Sequence, residues 1–371
     1  MMRRKQFITR ISFLAMLLAG VLLTACKTAD EPKKTIGTDI SFHELLLPVP
    51  RTAQLIDDDY FNWGGSMIRT DDGVCHLFYS RWPRTYSFSQ WVSHSEIAYA
   101  VADDPLGPYT HVGVALPERG AEYWDGLMTH NPTIHKFGEK YYLYYVGTTG
   151  DRAITNGRYH IHRNNQRIGV AVADHPSGPW ERFDVPLIDV SPDSTATDAL
   201  LTTNPAVAKR PDGKYIMAYK AAAIDFTKDN LAGPVVHRVA TSDSPLGPFV
   251  KYPGLVFDAE GEFFPAEDPY IWYQDDRFLA ILKDMQGAFT DVGTSLVLFE
   301  SFDGIDWKLS PNPLVSKIEV KWEDGSIDEK VTKLERPQIY FEDGKPKVLF
   351  VAFRYTPETS WNIHVPLRND Y

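Results

Sequence analysis

Glu267 and Asp268 stand before Pro269, and Glu335 and Arg336 stand before Pro337, each at the start of a run with strand composition. Carboxylates held close together can divide the roles of general acid and general base. The same place in two other segments carries His130-Asn131-Pro132 and Thr203-Asn204-Pro205. His130, and His94 in Ser93-His94-Ser95-Glu96, are candidates for proton transfer or ion binding, although a loop histidine more often only hydrogen-bonds. The strands that follow end at Arg81, Gly147, Lys220, Lys283 and Arg354. Cations recurring at one place suit an anionic ligand, arginine as a planar fork and lysine as a point charge. They also suit simple neutralisation of Glu267, Asp268, Asp284 and Glu335. Trp63 and Trp91 lie among polar residues and are candidates for packing on the apolar face of a sugar ring. Tyr60, Phe61, Trp82, Trp124 and Trp361 are available for the core as well.

These residues are spaced by a repeat. Its clearest copy is Asn131-Pro132-Thr133-Ile134, a turn at Gly138 and the run Tyr141 to Tyr145. Copies begin at Asn204, Asp268 and Arg336, and a degenerate one at Asn62, at intervals of roughly 70 residues. Each copy reads as a hairpin, two apolar runs about a turn such as Asp212-Gly213 or Asp343-Gly344. A third strand follows in four of the copies, and three of these end in Gly107-Pro108-Tyr109, Gly178-Pro179-Trp180 or Gly247-Pro248-Phe249. Small sheets of about four antiparallel strands cannot bury both faces alone, and radial packing solves this while leaving only short edges. The expectation is an all-β chain folded as a five-bladed β-propeller over residues 46–371.

The N-terminus is different in kind. Arg3, Arg4 and Lys5 precede an apolar run from Ile11 to Leu23, and then Leu23-Thr24-Ala25-Cys26. A basic start, a short apolar run and small residues mark a secretory signal over residues 1–25. The cysteine after Leu-Thr-Ala resembles a bacterial lipoprotein signal, which implies cleavage before Cys26, lipid on its sulfur and a membrane-attached protein of the bacterial envelope. Residues 26–45 are then expected to be the lipidated cysteine and a tether. Cys75 is left as a core thiol, with no disulfide within the chain. The net charge of −11 becomes more negative once the basic leader is gone, which argues against a nucleic-acid partner.

The Asn/Asp-Pro strand starts, with Tyr141-Tyr142-Leu143-Tyr144-Tyr145 behind one of them, resemble the five-bladed glycoside hydrolases of families 43 and 117 over nearly all of the mature chain. That resemblance implies hydrolysis of a polysaccharide-derived, here acidic, oligosaccharide. It implies an Asp base at the first strand start, a second Asp at the third and a Glu acid at the fourth. Glu267 falls at the place of the acid. Asn204 stands where the second Asp belongs, and Asn62-Trp63-Gly64-Gly65 brings no carboxylate, so Asp59 or Asp125 is the expected base. In the family 117 manner, His130 could serve as acid. Asn131, Asn204, Asp268, Glu335 and Arg336, with Trp63, Trp91, His94 and the cations Arg81, Lys220, Lys283 and Arg354, would bind substrate. No cofactor is required, and a structural Ca2+ in the central channel is a family feature that stays optional. Two alternatives fit the same residues: a uronate-directed lyase or dehydratase, and a surface glycan-binding lipoprotein without activity.

Overall fold

The computed structural model describes residues 34–150 and 159–371. Five four-stranded antiparallel sheets form the blades of a β-propeller. The first blade runs from Tyr60–Arg69 through Cys75–Pro83 and Glu96–Ala102 to Thr110–Leu116. The second uses Met128–Phe137, Lys140–Thr148, Arg167–Ala173 and Glu181–Arg182. The third uses Leu201–Lys209, Tyr215–Ile224, Ala232–Ser242 and Val250–Lys251, and the fourth Ala266–Gln274, Arg277–Asp284, Ser295–Ser301 and Lys308–Lys317. The fifth has Lys333–Glu342, Lys345–Arg354 and Trp361–Pro366, and takes its outer strand, Gln54–Leu55, from the other end of the chain. Gln54 pairs with Ile363 and Leu55 with Asn362, which closes the ring.

One device recurs at every inner strand. Asn131, Asn204, Asp268 and Arg336 have φ between 53 and 57°, and Gly64 has 59°. Each sits in a register shift, between Trp63 and Ser66, His130 and Thr133, Thr203 and Ala206, Glu267 and Tyr270, or Glu335 and Gln338. Asn and Asp tolerate this left-handed conformation because a short polar side chain can bond locally. The bulge re-aims the residue before it. The true equivalents are therefore Trp63, His130, Thr203, Glu267 and Glu335, each followed by the bulged residue. This corrects the first copy: Gly64-Gly65 replaces Asn-Pro, and Asn62 lies two residues too early.

Two sequence expectations shift here. The segment expected to be a tether is packed from Ile36 onward: Ile36, Ile40, Phe42 and Leu45 are buried against the fourth and fifth blades. Arg277 holds it by bonding the Ile36 carbonyl and the Thr38 hydroxyl. Four apolar side chains within ten residues are too much surface to leave in water. The signal residues 1–25 and Cys26 lie outside the described residues. Among those described, no helix is long and apolar enough to cross a membrane.

Candidate active site

A cavity of about 300 Å3 opens at the axis of the propeller, over the inner-strand starts. Trp63, His130, Glu267 and Glu335, the residues aimed by the bulges, all line it, and Asn131, Asn204 and Asp268 form its floor. Lys220 lies opposite Thr203 in the hairpin register and Lys283 opposite Glu267. Lys220 Nζ bonds Glu267 Oε1, and Lys283 Nζ bonds Glu335 Oε1. Lys333 Nζ reaches the same Glu335 oxygen at 2.8 Å. Along the floor, Asn131 Nδ2 donates to Asn204 Oδ1 at 2.9 Å, and Asn204 Nδ2 donates to Asp268 Oδ1. Arg336 follows in the ring. Its guanidinium lies 3.6 Å from Asp268 and reaches Pro132 O in the second blade at 3.5 Å. It thus spans the channel from the fifth blade. Gly64 makes room for it, since a Cβ there would stand 3.3 Å from Arg336 Cβ, Cγ and Nε.

The walls are aromatic. Trp91 stacks on His130 with centroids 4.4 Å apart, and Trp82 meets the same ring edge-on at 5.7 Å. Phe88 packs between Trp63 and Trp82, at 5.2 Å from each. Ser95 Oγ and His130 Nδ1 share a 2.7 Å hydrogen bond. Tyr159, Arg163 and Gln166 enter from the short helix Tyr159–Asn164 and the residues after it. Trp82 Nε1 and Asn131 Oδ1, both on lining residues, have no hydrogen-bond partner among the described residues.

Charge states follow from these contacts. Burial works to raise Glu267, but Lys220 and Lys283 override it and hold the carboxyl down to about 2. Burial and the adjacent Glu267 charge push Asp268 up to about 6, against the pull of Arg336 and Lys220. Burial, then the charges of Arg336 and Lys220, keep His130 well below the ordinary histidine range, so its imidazole is neutral near pH 7.

Glu267, Asp268 and Glu335 each bring an oxygen within 4.8 Å of the others, which is the grouping a cation would use. The donors do not fit the Ca2+ that the resemblance leaves optional. Calcium needs six to eight oxygen ligands, whereas these carboxylates already bond Lys220, Lys283, Lys333 and Arg336. The axial positive charge is a guanidinium.

Several sequence candidates lie elsewhere. Asp59 is exposed and outside the cavity. Asp125 is fully buried between Arg119 Nε at 2.7 Å, Tyr145 Oη at 2.6 Å and Arg182 at 3.4 Å. It is a structural anchor, and neither aspartate is placed to be a base. Arg81 pairs with Asn62, one residue past the position equivalent to Lys220, and that single step turns it to the other face. It grips Glu96 instead. Arg354 is two residues past Ala352, the true equivalent, and stacks behind Phe88 at 4.0 Å. The ring of four cations is thus reduced to Lys220 and Lys283. His94 stacks on Tyr86 outside the cavity. Lys333, Arg163, Gln166 and Tyr159 were missed. Lys333 was legible, because it precedes Glu335 by two residues and alternation puts both on one face. The other three sit in the connection between the second and third strands of the second blade, whose short helix corresponds in place, though not in sequence, to Trp91–His94 of the first.

No family model matches the chain, and no curated protein matches it. Solved structures do. An RGII complex of BT0996 is 16% identical with a TM-score of 0.62, over 89% of this protein and 94% of that one. Zg3597, a family 117 glycoside hydrolase of the marine bacterium Zobellia galactanivorans, is 16% identical with a TM-score of 0.55, over 84% and 85%. An endo-arabinase from Bacteroides thetaiotaomicron is 13% identical with a TM-score of 0.53, over 88% and 98%. The fold is theirs. This chain has the five-bladed propeller seen in family 43 and family 117 glycoside hydrolase structures.

Proposed function

We propose that the protein is a glycoside hydrolase acting on acidic oligosaccharides. The axial cavity carries this reading: three carboxylates within 4.8 Å of one another, flanked by aromatic rings and lysines. The five cations Arg163, Lys220, Lys283, Lys333 and Arg336 outnumber the three carboxylates, although the chain as a whole carries −11. A carboxylate or sulfate on the sugar would satisfy that excess. Trp82 Nε1 and Asn131 Oδ1 would receive its hydroxyls, since buried polar atoms need partners. The glycoside hydrolase structures of the same fold support the reaction class.

The resemblance makes Glu267 the acid, and its surroundings favour a different role. Held at about 2, it is an anion at working pH and suits attack on the anomeric carbon. Asp268, held at about 6, is the cavity carboxyl that keeps a proton nearest neutrality and suits protonation of the leaving oxygen. Those two roles together make a double displacement, which retains the anomeric configuration, whereas an inverting enzyme uses one carboxylate to activate water instead. The test is incubation with oligogalacturonides and sulfated agar oligosaccharides, with product anomers followed by proton NMR. Retention with about a 10²–10⁴-fold loss in Glu267→Gln is expected. Inversion, or an active Glu267→Gln, refutes the assignment.

The neutral, buried His130 favours a second reading, β-elimination of a uronate with His130 as base. It predicts ultraviolet absorbance from a new C=C bond and no uptake of water.

A further inference from the structure

We propose that Arg163 is the residue that reads the acidic group of the substrate, through paired hydrogen bonds to a carboxylate or sulfate. This rests on the carbohydrate reading above and gives its acidic group a position. The other four cations of the site are already engaged. Lys220 bonds Glu267, Lys283 and Lys333 bond Glu335, and Arg336 faces Asp268. An anion brought to any of these meets a carboxylate at a similar distance, and the repulsion offsets the attraction. Arg163 lines the same cavity and differs. It forms no ion pair among the described residues, and its guanidinium makes one hydrogen bond, from Nη1 to Asn164 Oδ1 at 3.2 Å. Nε and Nη2 are left. Together they form the edge that meets two oxygens of a carboxylate or sulfate side by side.

The backbone under Arg163 is tied at two points to the third blade. Gln166 Nε2 donates to Arg163 O at 2.8 Å, and Gln166 Oε1 accepts from Thr203 Oγ1 at 2.8 Å, at the bulge-aimed position of the third inner strand. The neighbouring Asn164 Nδ2 donates to Asn230 O at 3.0 Å. Only the side chain itself then has to be ordered when an anion binds. Tyr159, one helical turn earlier, links Arg163 to the reacting carboxylate. Burial raises its hydroxyl, Arg163 draws it back and Glu267 adds to the rise, so one phenol lies within electrostatic reach of both charges. Tyr159 also meets Trp91 edge-on at 6.4 Å, and Trp91 stacks on His130. Arg163 and Glu267 thus share one cavity of about 300 Å3, at the small end of ligand pockets. The acid they select belongs to a sugar flanking the bond that is cut.

The experiment is titration calorimetry on the full chain with matched pairs: oligogalacturonides against their methyl esters, and sulfated agar oligosaccharides against desulfated ones. The readout is the ratio of the two affinities within a pair. The acidic member of one pair should bind about 10–100-fold more tightly than its neutral counterpart, and the pair that shows this tells carboxylate from sulfate. Arg163→Gln should bring the ratio close to one. Arg163→Lys, which keeps the charge but not the fork, should restore only part of it. A ratio that survives in Arg163→Gln, or no preference for either acid in the unaltered protein, overturns the assignment. Hydrolysis is scored separately. Turnover without an acidic preference leaves a glycoside hydrolase standing without this role for Arg163. An Arg163-dependent preference without any turnover leaves the anion site standing alone.

Discussion

Replacing Arg336 by methionine, which keeps an unbranched side chain of similar length, tests the axial cation. Arg336 is 1% exposed, and its nearest anion is Asp268 at 3.6 Å. Removing one member of a buried pair costs about 3–5 kcal/mol. Two features reduce that figure. The contact, made by Nη1, is long, and Arg336 Nε has no hydrogen-bond partner among the described residues, so its removal relieves a donor that costs about 1–3 kcal/mol. The expected loss is about 2 kcal/mol at pH 8, or a melting point lower by about 4 °C. The loss must depend on pH. Asp268 is raised from 3.8 to about 6 in the folded protein, so its contribution to stability is present below pH 4 and declines as pH rises through 6. Without Arg336 the folded value climbs further, and the decline extends through neutrality at about 1.4 kcal/mol per pH unit. Thermal and urea melts of both proteins from pH 5 to pH 9 read this directly. The two curves should converge at pH 5 and separate by pH 8. A constant gap across that range would mean that packing, not charge, is what Arg336 supplies.

Gly64→Ala should cost about 1–2 kcal/mol from its φ of 59°, plus a contact with Arg336 that the double substitution with Arg336→Met relieves; strict additivity in the melts would refute the contact. Lys220→Met should raise Glu267 from about 2, since Lys220 is the largest charge holding it down; the stability this carboxylate adds above pH 4.5, lost as pH falls towards 2, should shrink, and an unmoved acid limb in the melts would count against the pairing. Asp284 accepts hydrogen bonds from five successive backbone amides, Gln286 to Thr290, beside the cavity residue Met285, so Asp284→Asn should speed amide exchange in that loop at least tenfold; unchanged exchange would refute the clamp. Because burial pushes the fully buried Cys75 thiol up to about 11, it should resist a thiol reagent at pH 8 until denaturant is added, and prompt labelling would contradict its core position.

The blades were legible because the left-handed residue at the strand start is Asn or Asp followed by Pro in three blades and Arg followed by Pro in a fourth, a pattern that survives when little else does. The first blade broke the pattern for a reason lying in the last. Gly64 is small so that Arg336 can cross the channel, and a sequence read one unit at a time does not contain that contact. The misplaced start at Asn62 then carried Arg81 into the supposed ring. A strand has period two, so an error of one residue exchanges its faces. Glu267, Glu335, His130 and Lys220 were found because they sit on the repeat. Arg163 and Gln166 were not, because the connections between the second and third strands keep their place in the first two blades but share no sequence to align. Asp125 illustrates a further limit: its charge is visible in sequence, but the Arg119, Arg182 and Tyr145 partners that occupy it are not.

The two ends of the propeller meet in its last blade. Trp361 Nε1 bonds Gln54 across 307 residues, and Leu46 bridges to Leu367. By loop-closure entropy, joining segments this distant costs only about 3 kcal/mol more than joining a ten-residue loop. The equilibrium penalty is small, and the kinetic one is not, since such contacts give no reward until the other four blades are in place. The closing strand should therefore be a late event in folding and an early one in unfolding. A circular permutant of residues 34–371 that links Tyr371 to Lys34 and opens at the Asp212-Gly213 turn would make that junction local, and should fold faster with the same architecture.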